Sequence, residues 1–596
     1  MRPIALQINH HLGLLLFSSA LNILCDTGDN AVSTLPGSFA AREPSAMMLR
    51  QWLAQILLGA VNIEQSKLLN TGHLSKLLGD GLYKDLGNQH KWLGEFATDE
   101  VIRSVLQTNA RHLGLANQGD YYLDPHTKHY TGEKNVLKGW CSGIGRVDKV
   151  MHSDFIHNVD GHPVYFETTD NFLDLRERTF DLMEGFRTEL ELAENKVLTV
   201  VIDRGIFGAE IFAKFAEHPQ LHLITWEKDY RRDGWEENRP ADGEFIYQRP
   251  RNHSQDLFTY SFSYQEHRWE KDPRLKRIIV RATNPRKKTV EVAILSDAVE
   301  RDGQEIILLI FRRWVQENDF KYLDKHFGID QITSYQAVSY AALAEEITDK
   351  KMLSTAYRVL TKQRQEETSK LKNLLWKRER AQRRDKHRTE TIAALESQLA
   401  QSDLEELEKK RLRKQLGTQR GQQKRAESNL RKWEQGIEKQ HEKLEKISQQ
   451  LEETSKEQSR LEQLIEREAV KMKGSRKRLM DTLKILARNF FYTPLSPFKA
   501  DYDNYRDDHV LFRSLTTSGG LIEADEAEVE VEVRGYLVLE PDYPRAIRRL
   551  LEKYLRDWNE KPPKFPDGSN RPVNLKLITA KGFQVALPET PFLPNR

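Results

Sequence analysis

Three acidic residues stand where they could do chemistry together. Asp124 ends the alternating run Tyr121-Tyr122-Leu123-Asp124. Asp203 ends an apolar run from Val197 to Ile202 and precedes Arg204-Gly205. Glu317 lies in the helical pattern Arg312-Arg313-Trp314-Val315-Gln316-Glu317-Asn318. Two carboxylates at strand ends and a third on a later helix are hard oxygen donors, the kind that hold a pair of divalent cations. Such a pair activates an attacking oxygen and stabilises a leaving one in phosphoryl transfer. The chemistry indicated is the cutting or joining of nucleic acid. Asp120, Asp148 and Asp154 compete with Asp124, which best follows the apolar alternation.

The elements that must position these residues are readable from periodicity. Tyr121 to Asp124, Arg146 to Ile156 and Pro163 to Thr168 read as strands, the last two joined by a turn at Asp160-Gly161. Phe172 to Leu192 is an amphipathic helix entered near Thr169-Asp170. Val197 to Ile202 is a β-branched run suited to a buried central strand. A short helix, Gly208 to Glu217, and a strand, Leu221 to Thr225, follow. Three strands, a helix, a strand, a helix and a strand make the order of an RNase H-like fold. Between Lys228 and Asp297 alternating segments replace the expected helix: Glu244 to Tyr247, Thr259 to Tyr264, Arg277 to Ala282 and Val290 to Leu295. They read as a β-rich insertion. A helix then begins near Asp302 and carries Glu317, with Arg313 one turn before it and Lys321 one turn after, on one face.

The expected fold is α/β: an RNase H-like catalytic core with a β-rich insertion, an N-terminal helical region, a long coiled-coil segment and a small C-terminal α+β region. The corresponding stretches are 1–115 (helical), 116–335 (core, insertion about 228–300), 336–474 (coiled coil) and 475–596. In the third stretch Leu430, Trp433, Ile437, Leu444, Ile447, Leu451, Leu461 and Ile465 fall on alternating three- and four-residue steps, an a/d seam interrupted by polar Gln440, Thr454 and Gln458. A continuous rod would reach on the order of 150 Å, a hairpin about half that. Ser402-Asp403 and Gly417 to Gly421 are candidate breaks, and the glycines near the middle favour the hairpin.

Bulk properties bound the partners. The 596 residues carry a net charge of only +3, so any nucleic-acid surface must come from local Lys/Arg clusters. One such cluster is Arg378, Arg380, Arg383, Arg384, Lys386 and Arg388, whose alternative reading is a solvated helix face. Cys25 and Cys141 are the only cysteines, which excludes a disulfide framework and a cysteine-rich zinc site and fits a reducing compartment. Leu12 to Leu24 is apolar, but Gln7, Asn9, His10 and His11 stand where a signal peptide would be basic. It reads as an amphipathic helix, and no uninterrupted apolar run reaches the roughly 20 residues of a membrane span. Gly143-Ile144-Gly145 lacks the rest of a phosphate loop.

Three segments resemble DDE-type insertion-sequence transposases. Tyr121-Tyr122-Leu123-Asp124-Pro125-His126 with Tyr130-Thr131-Gly132 is similar to the first-aspartate segment, and Val200-Val201-Ile202-Asp203-Arg204-Gly205-Ile206-Phe207 to the second. Phe311 to Tyr322 is similar to the helix of the third acid, with an arginine four positions before the glutamate. The resemblance covers about residues 116–335, and a β-rich insertion before that helix marks one subgroup. It implies a DNA transposase in which Asp124, Asp203 and Glu317 hold two Mg²⁺ (Mn²⁺ as substitute), so that a water or 3′-hydroxyl attacks the scissile phosphate in line. Arg313, Lys321 and Lys325 would meet DNA phosphates, as would Arg231 and Arg232, and Trp235 or Trp226 would stack on a base. Implied partners are double-stranded DNA, as element ends and target, and a second copy in a homodimer, with no membrane and a cytoplasmic, nucleoid-associated location. The subgroup's tyrosine three positions before the arginine and its lysine seven after the glutamate are here Ile310 and Asp324.

Each residue also has an ordinary explanation. Asp before Gly at a strand end makes a turn, and His126 would face solvent. Arg313, Glu317 and Lys321 would form an i,i+4 ion-pair stripe worth about 0.3–0.5 kcal/mol per pair. Trp226 and Trp235 would close a small β core. The alternative function is a catalytically inactive, transposase-derived DNA-binding or architectural protein assembled through its coiled coil.

Overall fold

Ile4–Asn9 forms a strand, β1, where the sequence reads as helical. It pairs antiparallel with a strand some 500 residues later, so long-range pairing overrides the helical reading. The computed structural model describes residues 4–9, 44–69, 74, 85–141, 144–169, 174–231, 234–250, 257–344, 351–400, 406–502, 508–517, 519–524 and 529–534, with shorter pieces up to 585. The apolar run from Leu12 to Leu24, Gly143, Arg232 and most of the basic C-terminal segment from Pro544 to Trp558 lie outside them. Next come helices α1 (Pro44–Leu57), α2 (Leu86–Phe96) and α3 (Asp99–Leu113). The last is N-capped by the Thr98 hydroxyl and ended by Gly114 in the left-handed region.

The chain then builds a mixed ten-stranded sheet. Its first part contains β2 (Asp120–His129), β3 (Lys138–Cys141), β4 (Arg146–Asn158), β5 (Pro163–Thr169), α4 (Leu175–Glu189), β6 (Leu198–Ile202), α5 (Ala209–Glu217) and β7 (Leu221–Trp226). Strands stand side by side as β5-β4-β2-β6-β7. The pairs β5/β4 and β4/β2 are antiparallel, while β2/β6 and β6/β7 are parallel. All five residues of β6 are buried, as a β-branched strand with neighbours on both sides should be. β8 (Gly243–Pro250), β9 (Leu257–Trp269), β10 (Asp272–Thr283) and β11 (Thr289–Ser296) form an antiparallel meander that extends the same sheet, β11 pairing with β7.

Helices cover both faces. Leu123, Val200 and Ile202 join a core with α4 and α5, where Tyr121 meets Phe186 edge-on at 4.9 Å. The intervening residues Tyr122 and Val201 join Ile224, Ile278 and Val280 on the other face, under α6 (Gly303–Phe311) through Ile306, Ile307 and Ile310. The expected single helix through Glu317 is two: α6 ends at Phe311, and α7 (Trp314–Phe327) begins after a tight turn at Arg312-Arg313.

The chain divides into two units, Met1–Ala337 with Lys471–Arg596, and Val338–Val470. Short strands β12 (Ala337–Ser339) and β15 (Val470–Met472) mark the boundary of the second. Within that unit, β13 (Lys351–Leu353) pairs with β14 (Glu457–Ser459), ahead of the short helix α10 (Arg460–Glu466). Two long helices, α8 (Thr355–Leu399) and α9 (Glu406–Glu453), run antiparallel. Gln440 reaches Glu367, Gln422 takes a bond from Arg388, and Arg420 meets Glu396 at 2.5 Å. Gly417 and Gly421 lie inside α9, so the chain reverses between Leu399 and Glu406 rather than at the glycines. Among the described residues no helix is long and apolar enough to cross a membrane.

The chain after 475 does not stand apart from the sheet. α11 (Ser475–Asp501) and α12 (Asp508–Thr516) bury Leu479, Leu483, Leu486, Phe490, Phe491 and Phe512 in the core that holds α1, α3 and α4. β16 (Gly519–Ala524), β17 (Val529–Arg534), β18 (Val573–Ile578) and β19 (Gln584–Val585) complete a five-stranded sheet with β1.

α11 also buries charge. Lys477 and Lys484 both pair with Asp481, and their ammonium groups donate to the carbonyls of Ile329 (2.9 Å) and Gly328 (2.7 Å) just past α7. Arg488 donates to Asp319 on α7 at 2.7 Å. Asp319 also meets His157 on β4 at 3.2 Å. Burial alone would raise the Asp319 carboxyl, but Arg488 and His157 hold it below the usual range. Removing one partner from such a group leaves unpaired buried charge. Asp319→Ala should lose about 3–5 kcal/mol in denaturant unfolding. A loss as small as that of an exposed ion pair would show that this network does not hold α7.

Candidate functional site

The parallel register sets two of the acids side by side. Leu123 on β2 pairs with Ile202 on β6, and Ile202 in turn pairs with Thr225 on β7. The next residues, Asp124 and Asp203, therefore leave the buried part of adjacent strands at one level. Glu317 comes to them on the first turn of α7, where the helix dipole favours a carboxylate. Polar bonds and one close approach seat α7. Gln316 Nε2 donates to the Tyr122 carbonyl (3.3 Å) and bonds His157 Nδ1 (3.0 Å), next to the Asp319 pair. The β4–β5 turn touches the helix at Gly161, whose φ is +81° and where a Cβ would lie 3.2 Å from the Val315 carbonyl oxygen.

All three acids meet one guanidinium. Arg313 Nη2 bonds Asp203 at 3.2 Å and Glu317 at 3.1 Å, and Nη1 lies 3.6 Å from Asp124. The last is an ion pair too long for a hydrogen bond, and among the described residues the buried Nη1 has no hydrogen-bond partner. Arg313 is buried, Asp124 half-buried, and Asp203 and Glu317 about half exposed, so the cluster opens to solvent on the side of those two. Burial, then the charges of Asp203 and Glu317, push the Asp124 carboxyl up to about 6 against the opposing pull of Arg313.

The competing aspartates are engaged elsewhere. Asp120 takes Arg301 at 2.6 Å, Asp148 takes Arg146 at 2.9 Å, and Asp154 is buried against Arg178. His126 pairs with Asp330 at 2.6 Å and stacks on Phe320. Lys321 and Lys325 are exposed further along α7, and among the described residues neither pairs with the three acids. Ile310 is packed under the sheet. Arg231 is exposed. Trp235 is half-buried with the Arg281 guanidinium 4.4 Å over its ring, and Glu237 and Glu291 hold that arginine. Trp226 packs edge-on against Phe311.

Sequence reasoning misses a cavity of about 410 Å³ beside the acids. Tyr247, Arg249, Phe258 and Tyr260 line it from β8 and β9, and Trp314 and Asn318 from α7, flanking Arg313 and Glu317 in the chain. The Arg249 guanidinium lies 4.5 Å over the Trp314 ring. The aromatic alternation is visible in each strand. Its convergence depends on the Tyr247–Tyr260 pairing and on the break before Trp314.

Three carboxylates from remote segments are the right donor type for Mg²⁺ or Mn²⁺. Among the described residues no three acidic, histidine or cysteine side chains form a ready cation cage, since Arg313 is the cation the acids share. Comparison of the sequence with protein-family models and with curated proteins finds no match.

The raised Asp124 value has a stability consequence. A carboxyl whose folded pKa exceeds its unfolded one is harder to ionise in the folded state, so stability falls as pH rises from the unfolded value to about 6 and is level above it. Relative to Asp124→Asn, the wild type should lose about 3 kcal/mol between about pH 4 and pH 7, at roughly 1.4 kcal/mol per unit. Denaturant midpoints of both proteins across that range check it, and parallel curves would show an unperturbed Asp124.

Proposed function

We propose that this chain is a DNA transposase of the DDE type, cleaving and joining strands at the ends of an insertion element. The observation that carries the reading is the convergence of Asp124, Asp203 and Glu317, separated by 79 and 114 positions, on one arginine. The strand order β5-β4-β2-β6-β7, with its two antiparallel and two parallel pairings, supports an RNase H-like core, and the β8–β11 meander fits the subgroup's insertion. The third acid rides a later helix, as that resemblance requires.

Asp124, Asp203 and Glu317 would hold two Mg²⁺, which supply charge neutralisation for in-line phosphoryl transfer. The chain's own groups do the rest. Arg313, once its carboxylates have another cation, is free to donate to a phosphate oxygen, with a fork suited to bidentate bonding. Arg249 and Trp314 offer a cation and a ring face to the nucleotide beside the scissile phosphate. Asp124, whose carboxyl burial pushes up, would have to be deprotonated to serve as a ligand, so cation binding there would release a proton. We read α8 and α9 as an antiparallel coiled-coil hairpin. Synapsis of two element ends calls for a homodimer on double-stranded DNA, and the substrate implies a nucleoid-associated, cytoplasmic location.

One observation favours the second reading, a silent DNA-binding or architectural protein. Arg313 already neutralises part of the acidic cluster, and Ile310 and Asp324 depart from the family pattern. Strand cleavage separates the two. The full chain, Mg²⁺ and a duplex made from the DNA flanking its gene should yield nicked product. Asp124→Ala, Asp203→Ala and Glu317→Ala should each slow it by about a hundredfold or more. Equal cleavage by all four proteins would falsify the assignment, and binding without any cleavage would select the architectural reading.

A further inference from the structure

The charge of the helical hairpin is segregated along its length. Residues 376–432, the half of the hairpin around its turn, contain 17 Lys/Arg against nine Asp/Glu, a net +8, while the whole chain carries only +3. The other half, 355–375 with 433–453, contains eight Lys/Arg and eight Asp/Glu and is neutral. Helix pairing places the two basic stretches together, because Arg388 bonds the Gln422 carbonyl and Gln423 lies 3.4 Å from Thr389. Arg384 and Lys386 on α8 thus lie at the level of Lys424 and Arg425 on α9, with Arg413 and Lys414 nearer the turn, and all six are exposed. Among the described residues only Arg383, Arg388 and Arg420 of these 17 cations have carboxylate partners. A scaffold helix pair would interleave its signs in i,i+4 pairs. This one leaves like charges unneutralised, at a cost in self-repulsion that an external polyanion removes.

We infer that the distal half of this hairpin is a docking surface for the phosphate backbone of double-stranded nucleic acid. The part of α8 from Trp376 to Leu399 spans about 36 Å at roughly 1.5 Å per residue, close to the roughly 34–36 Å of one duplex turn. The length of the basic span therefore matches one turn of a duplex. An anionic membrane is a poorer fit, because a membrane-surface helix needs an apolar stripe beside its cations. Here, among the described residues, the large exposed apolar side chains are Trp376 and Leu407, at opposite ends of the basic span. The surface reads no sequence, since phosphate contacts position without specifying. It deepens the proposed function by naming a second, non-catalytic contact with DNA, but it does not rest on the carboxylates.

The test uses the full chain, EDTA and a random-sequence duplex of about 30 base pairs, so that neither cleavage nor element ends contribute. Neutralising Arg384, Lys386, Arg413, Lys414, Lys424 and Arg425 together to Gln should weaken binding at least tenfold at about 0.1 M salt. It should also flatten the slope of log K against log salt by about 0.9 for each phosphate that the six cations no longer neutralise. The triple variant Asp124→Ala, Asp203→Ala, Glu317→Ala should bind at least as tightly as wild type, which separates this surface from the catalytic reading. A control on the neutral half, Lys439→Gln, Lys443→Gln and Lys446→Gln, should leave Kd unchanged, and far-UV circular dichroism should show full helicity in every variant. Unchanged affinity and slope in the sextuple variant overturn the inference. So does equal weakening in the control, or a loss confined to binding of phosphatidylserine vesicles.

Discussion

Like charges brought together from remote parts of a chain need a counter-charge, and here a single guanidinium provides it. Asp124, Asp203 and Glu317 repel one another, and without Arg313 their approach would be opposed at every pH where they ionise. The arginine belongs to the turn between α6 and α7, so the cation and the third acid arrive together. The sheet register delivers the other two. The cluster is thus an assembly of two rigid halves, strand ends and helix start, joined by three ion pairs.

Behind it stands a second layer of buried polar contacts. Gln316, His157, Asp319 and Arg488 link α7 to β2, β4 and α11, and each side chain satisfies another. A buried ion pair adds little net stability over apolar packing, but it penalises any other arrangement. That makes it a device for holding Glu317 in place. The half-exposed Asp203 and Glu317 then stand on the solvent side of that layer.

Much of this is legible in the chain because it is written locally. The strands around Asp124 and Asp203 and all four strands of the meander follow from period-two alternation and β-branched runs. Arg313 is legible only as a partner of Glu317 by helical spacing. Its bonds to Asp203 and Asp124 are properties of the folded sheet. Lys477, Lys484 and Arg488 give no local sign of burial, since beyond Asp481 their partners Ile329, Gly328 and Asp319 lie about 150 positions or more away. β1 escapes a local reading for the same reason, as its pairing partner is at the other end of the chain. Gly417 and Gly421 suggest a break, yet glycine costs a helix only roughly 1 kcal/mol each, and α9 runs through both.

The position of α11 has a consequence for how a new chain matures. Asp319 finds its counter-ion at residue 488, after the whole hairpin has been made. While the ribosome is still upstream of that codon, Asp319 has no arginine to meet it. The nascent polypeptide therefore leaves the exit tunnel with an unfinished site. A chain that ends before α11 would keep all three acids but lack the arginine that meets Asp319 behind them.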